Sequence, residues 1–162
     1  TTFVGQNIGA GKFQRIKKRY HFTLLINSLF SIIISIIVIL FSKNLMAMFS
    51  PETNVIQIGS KYLIIVCSFY ILFSTMFINN AVIRGAGDTL VPMFITLLSL
   101  WIIRIPLAYY LSNKNGVIGI WWAVPLGWAA GMIFSYIYYL TGKWKNKAII
   151  KHPLTSEFEI LE

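Results

Sequence analysis

Four apolar stretches, Tyr20 to Phe41, Tyr62 to Ile83, Leu90 to Leu111 and Val117 to Leu140, share a single full charge, Arg104. At about 1.5 Å of helical rise per residue, each reaches about 33 Å or more and can cross a hydrocarbon core about 30 Å thick. A soluble chain of 162 residues has too little remaining mass to cover four helices that are apolar on nearly every face. The predicted fold class is therefore all-α integral membrane, with four transmembrane helices. These divide the chain into a basic segment (1–19), a membrane region (20–141, with spans 20–41, 62–83, 90–111 and 117–140) and a tail (142–162).

A formal charge of +9 would point to nucleic acid in a soluble domain, but here the cations sort by loop. Lys12, Arg15, Lys17, Lys18 and Arg19 precede the first span, Arg84 follows the second, and Lys143, Lys145, Lys147 and Lys151 follow the fourth. Only Lys43, Lys61 and Lys114 fall on the other side. Positive loops stay in the cytoplasm, so both ends are predicted to be cytoplasmic in a multi-pass plasma-membrane protein. The surplus of charge is a topology signal and a contact for membrane lipids, and no nucleic-acid partner is expected. Tyr20, Tyr139 and Trp144 are placed at the inner interface, and Tyr62, Tyr109, Tyr110, Trp121 and Trp122 at the outer one.

No catalytic or metal-binding set is expected. His21 and His152 lie outside the apolar cores with no acid beside them, and Cys67 is the only cysteine, so the chain does not read as an enzyme and no cofactor is implied. Thr1-Thr2-Phe3-Val4 reads like the last turn of an earlier helix, which Gly5, Gly9 and Gly11 would end, and the chain is taken as a fragment. The run after Gly11 lacks the Lys-Ser/Thr of a P-loop. From Lys12, the spacing of Phe13, Ile16 and Tyr20 predicts a short helix lying on an anionic inner leaflet.

Polar groups inside the spans are the candidate site. Thr23, Asn27, Ser31 and Ser35 form a stripe at every fourth residue of the first span, serving either helix packing or the lining of a substrate cavity. Ser74, Thr75, Asn79 and Asn80 crowd one half of the second span and are costly against lipid unless partnered, so they are expected to point into the bundle. Arg104, just before Pro106 and a predicted kink there, either snorkels or walls a charged cavity. Ala123, Gly127, Gly131 and Ser135 make a small-residue ridge.

The connections also read locally. Ser50-Pro51-Glu52 predicts a helix start with a serine cap and proline at the first helical position. Arg84-Gly85-Ala86-Gly87-Asp88-Thr89 predicts a compact hairpin in which Arg84 meets a negative helix end, the glycines turn and Asp88 or Thr89 caps the next helix. The basic tail, ending with Glu157, Glu159 and Glu162, is expected to be poorly ordered.

In sequence order, Val4-Gly5-Gln6-Asn7-Ile8-Gly9-Ala10-Gly11, Ile83-Arg84-Gly85-Ala86-Gly87-Asp88-Thr89-Leu90, Ile103-Arg104-Ile105-Pro106-Leu107-Ala108-Tyr109 and Gly119-Ile120-Trp121-Trp122-Ala123 resemble the C-terminal part of a multidrug and toxic-compound extrusion (MATE) transporter. The resemblance runs to about Trp144 and implies a twelve-helix fold of two six-helix lobes, with these spans as the ninth to twelfth helices. It implies export of organic compounds in exchange for Na⁺ or H⁺ by alternating access. The partners would be the N-terminal part of the same transporter and the exported compound.

One departure bears on mechanism. No carboxylate falls within the four spans, so ion coupling would draw on an acid outside this chain. A lipid-linked saccharide flippase of similar fold is the alternative, although it should show several cavity cations where only Arg104 is present. A non-transporting four-helix membrane scaffold is a second alternative.

Overall fold

The computed structural model describes residues 1–147, and among these every regular element is helical. The helices are α1 (Thr2–Gly9), α2 (Phe13–Leu40), α3 (Ser42–Ala47), α4 (Thr53–Ser68), α5 (Tyr70–Gly85), α6 (Leu90–Leu97), α7 (Arg104–Asn115) and α8 (Val117–Thr141). A π-helical turn, Leu98–Ile103, joins α6 to α7, and a 3-10 turn, Lys143–Lys147, follows α8.

Three helical stretches, Phe13–Leu40, Leu90–Asn115 and Val117–Thr141, are long and apolar enough to cross a membrane singly. The pair α4 and α5 is long and apolar enough for a fourth crossing when taken as one span, bent by 46° at Phe69. Neither proline nor glycine stands at this bend. Ser68 Oγ instead donates to the Ile64 carbonyl at 2.7 Å, competing with the helical ladder, while Phe69 packs edge-on against Trp122 with ring centroids 5.4 Å apart.

α8 is the hub, packing along α7, α5 and the π turn. Its small residues Gly119, Ala123, Gly127, Gly131 and Ser135 are all buried and recur every four positions, forming one close-packing face. A Cβ at Gly131 would collide with Met76 Sδ and lie 2.6 Å from Ser99 Oγ, and one at Gly119 would meet the Leu111 carbonyl. The Ser99 hydroxyl donates to the Gly127 carbonyl, pinning the π turn onto this face. The π turn falls just ahead of Pro106, which has no N–H to donate and whose ring crowds the preceding turn; widening that turn is one way a helix absorbs such a residue. Arg104 and Pro106 thus lie in a continuous 26-residue helical stretch.

α2 is peripheral. Phe22, Leu25, Leu29, Phe30, Ile33, Ile36 and Leu40 are exposed along it, the surface expected of a helix that meets lipid or further protein.

At one end of the bundle α1, the first turns of α2, the end of α5, the turn after it and the 3-10 turn converge on a core of Val4, Ile8, Ile16, Tyr20, Val82, Ile83, Ala86 and Trp144. The structure corrects four expectations. Residues 13–19 are not a separate interfacial helix but the opening turns of α2, and the Phe13, Ile16 and Tyr20 face rests on protein. Tyr20 and Trp144 are 3% and 1% exposed, so they are core groups and not lipid-interface anchors. The start of the tail is ordered, because burying the Trp144 ring fixes the 3-10 turn; the rest, 148–162, with Glu157, Glu159 and Glu162, lies outside the described residues. The helix expected from Pro51 begins at Thr53, and Ser50 Oγ accepts the Glu52 N–H at 3.2 Å without capping it.

Candidate functional site

Asn79 is fully buried on α5 and spans two neighbours. The Tyr20 hydroxyl on α2 donates to its Oδ1 at 2.6 Å, and its Nδ2 donates to Ser135 Oγ on α8 at 3.2 Å. The Ser135 hydroxyl in turn donates to the Met132 carbonyl at 3.0 Å. A buried amide without partners is expensive, so this closed set binds α2, α5 and α8 together. The rings reinforce it: Tyr20 stacks on Tyr139 at 4.4 Å between centroids, Tyr139 stacks on Trp144 at 5.4 Å, and Trp144 Nε1 donates to the Tyr139 carbonyl at 2.9 Å.

The other polar residues of the spans form separate pairs. Ser31 Oγ on α2 donates to Ser74 Oγ on α5 at 3.0 Å, so this part of the stripe joins helices. Asn80 Nδ2 reaches Thr96 Oγ1 on α6 at 3.4 Å, and its Oδ1 has no partner among the described residues. Thr75 is partly buried on the same helix. Asn27, one turn before Ser31, lines a groove of about 340 Å³ with Arg19, Phe22, Thr23, Ile26 and Phe30, and its buried Nδ2 has no partner among the described residues. Arg104 is partly exposed at the start of α7, its aliphatic stem beside Gly127 of α8. The structure therefore joins Asn79 to α2 and α8, Ser74 to Ser31 and Asn80 to α6, while Arg104 stands apart from these sets.

The glycine motifs have distinct local roles. Gly5 and Gly9 lie within α1, and only Gly11, at φ +66°, takes the left-handed conformation that ends it. Gly5 faces the end of α5: a Cβ there would sit 3.2 Å from the Gly85 carbonyl, and one at Gly85 would sit 2.7 Å from the Thr1 carbonyl and 2.9 Å from Val4 Cβ. These two glycines let α1 cross α5 closely, while the turn itself is made by Gly87 at φ 94°. Asp88, 4% exposed, accepts the Tyr138 hydroxyl at 2.5 Å on Oδ2 and the Val91 N–H at 3.4 Å on Oδ1, so it both caps α6 and ties the turn to α8. Thr89 makes no side-chain cap. Arg84 Nε donates to the Asn80 carbonyl at 3.3 Å, satisfying the end of α5.

Sequence reasoning missed Tyr20, Thr96 and Tyr138 as members of these sets. Tyr20 and Tyr138 resemble any aromatic near a membrane boundary, whereas the signal that was legible was Ser135, in register with the buried ridge. Among the described residues no group of three or more His, Cys, Asp or Glu is placed to hold a metal.

Comparison with known proteins fits this architecture. The MatE family model matches residues 1–110. The probable multidrug resistance protein YoeA of Bacillus subtilis is 29% identical over 92% of this chain and 32% of its own length. The probable multidrug resistance protein NorM of Thermotoga maritima is 28% identical over 97% of this chain and 34% of its own length, and YpnP of Bacillus subtilis is 26% identical over 89% of the chain and 32% of its length. The chain thus spans about a third of the length of these relatives. No solved structure matches. With the family model matching over residues 1–110 and three to four helical stretches fit to cross a membrane, the chain belongs to the MatE family of multi-span membrane transporters.

Proposed function

We propose that this chain forms part of a multidrug efflux antiporter, exporting organic compounds across the plasma membrane by alternating access and driven by Na⁺ or H⁺. The observation that carries the reading is the family match over residues 1–110 together with relatives named for multidrug resistance along nearly the whole chain. The structure adds support for a bracing segment rather than a coupling site. Polar side chains in the spans join helix to helix, as Tyr20, Asn79 and Ser135 do, and none of the spans carries a carboxylate. A group that exchanges a proton or ligates Na⁺ in the membrane is usually an acid, so coupling is assigned to a part of the transporter beyond this chain. Asn27, Ser31, Ser74, Thr75, Asn79, Asn80 and Arg104 then shape or brace the cavity wall.

Residues 12–19, the 84–89 turn and, among the described residues of the tail, 143–147 gather at one end of the bundle, which we assign to the cytoplasm. The test is efflux of a fluorescent organic cation from cells lacking their own major pumps and expressing the complete gene product. Reduced dye accumulation that disappears when the Na⁺ or H⁺ gradient is collapsed is expected; accumulation equal to that of cells with empty vector would overturn the reading.

A further inference from the structure

The opening turns of α2 carry a charge arrangement that the described protein does not balance. Lys12, Arg15, Lys17, Lys18 and Arg19 crowd the N-terminal end of the helix, whose first turn has no acidic residue. Cations are disfavoured there because unpaired N–H groups already make that end positive, and like charges three or four positions apart repel. Among the described residues the only carboxylates are Glu52 and Asp88. Asp88 is taken by Tyr138 and the Val91 N–H, and Glu52 begins α4 toward the other end of the bundle. Helix end and side chains together attract an anion from outside.

The shape of the surface says which kind. Arg15, Lys18, Arg19, Phe22 and Leu25 follow the i, i+3, i+4, i+7 pattern and so run down one face of α2. With Phe3 of α1 they line an open groove of about 620 Å³. The Arg19 guanidinium is held 5.1 Å from the centre of the Phe3 ring, which orients it at the groove wall. Phe22 and Leu25 are 59% and 66% exposed, and the apolar face continues through Leu29. The change from guanidinium to bare hydrocarbon takes place within about one helical turn, or about 5.4 Å. A phospholipid makes the same change between phosphate and acyl chain, whereas a free phosphate would leave the apolar floor uncovered.

We propose that this groove holds an anionic phospholipid, with its phosphate among Arg15, Lys18 and Arg19 and an acyl chain along Phe22, Leu25 and Leu29. Native mass spectrometry of the complete polypeptide tests it, released from micelles doped with equal amounts of phosphatidylglycerol and phosphatidylcholine bearing the same chains. Retained phosphatidylglycerol should exceed phosphatidylcholine. The Arg15→Gln/Lys18→Gln/Arg19→Gln variant should weaken its retention by about fivefold per charge removed, whereas Lys17→Gln, on the opposite face of the helix, should keep it within about twofold by the same argument. Leu25→Asn, which alters only the exposed floor, gives a second reading and should also lower retention. Equal loss in the two charge variants would show diffuse attraction, and no loss in any variant would show a groove covered by other protein; either result overturns the proposal.

Discussion

The Tyr20 hydroxyl donates to Asn79 Oδ1 at 2.6 Å across 59 positions of sequence, fastening the opening turns of α2 to the buried face of α5. Because Asn79 also holds Ser135, α2, α5 and α8 share one polar joint. Removing one partner leaves an amide oxygen buried and unpaired. In a double-mutant cycle, Tyr20→Phe and Asn79→Ala should couple by about 0.5–1.7 kcal/mol, read from unfolding of the detergent-solubilised protein. Additive effects would show that the bond contributes nothing beyond packing.

The α8 ridge predicts a graded glycine series. Gly131→Ala drives a methyl group into Met76 and Ser99, both fully buried, and should destabilise by about 1–3 kcal/mol. Gly127→Ala, whose nearest neighbours are Arg104 Cβ and the Ser99 carbonyl at 3.3 Å, should cost less. Gly9→Ala meets nothing within 4 Å and should be neutral or slightly stabilising, since alanine is the better helix former. Melting temperatures in detergent check the order, and a more harmful Gly9→Ala than Gly131→Ala would contradict it.

Asp88 supplies a third prediction. Asp88→Ala removes the acceptor for both Tyr138 and the Val91 N–H, at a cost of about 1–3 kcal/mol. Amides of residues 86–91 should then exchange with solvent faster in hydrogen–deuterium exchange. Asp88→Asn keeps an oxygen for the Val91 N–H and an amide for the Tyr138 oxygen, so it should lie between the variant and the native protein.

A fourth prediction separates the two glycines that meet between α1 and α5. Gly85→Ala brings its methyl against Thr1 and Val4 and should loosen α1, raising exchange at residues 4–9 while leaving the α7–α8 region unchanged. Unaltered exchange in α1 would show that the close approach is not needed to dock it.

The all-helical membrane character was legible because lipid demands long apolar runs: those from Tyr20, Leu90 and Val117 lie along helical stretches long enough to cross, and that from Tyr62 along the bent pair α4 and α5. So was the α8 ridge, whose period of four is a local pattern. The bend at Phe69 was not, because no proline or glycine marks it and Ser68 looks like any small polar residue in a span. The partners of Asn79 lie 59 and 56 positions away, and distance in sequence hides such pairs. The same holds for Gly5 and Gly85: the motif showed glycine, and only the crossing of α1 over α5 explains why a side chain is excluded there. Tyr20 and Trp144 carried an interface signal by residue type that tertiary packing overrode.

Single-cysteine labelling in a Cys67→Ser background, with a membrane-impermeant maleimide, tests the membrane architecture most directly. Cysteines at Lys17 and Lys143 should react only from inverted vesicles, and cysteines at Lys43 and Lys114 only from intact cells. Reaction of Lys17→Cys and Lys143→Cys from opposite faces would contradict a bundle whose four crossings return the chain to the side on which it began.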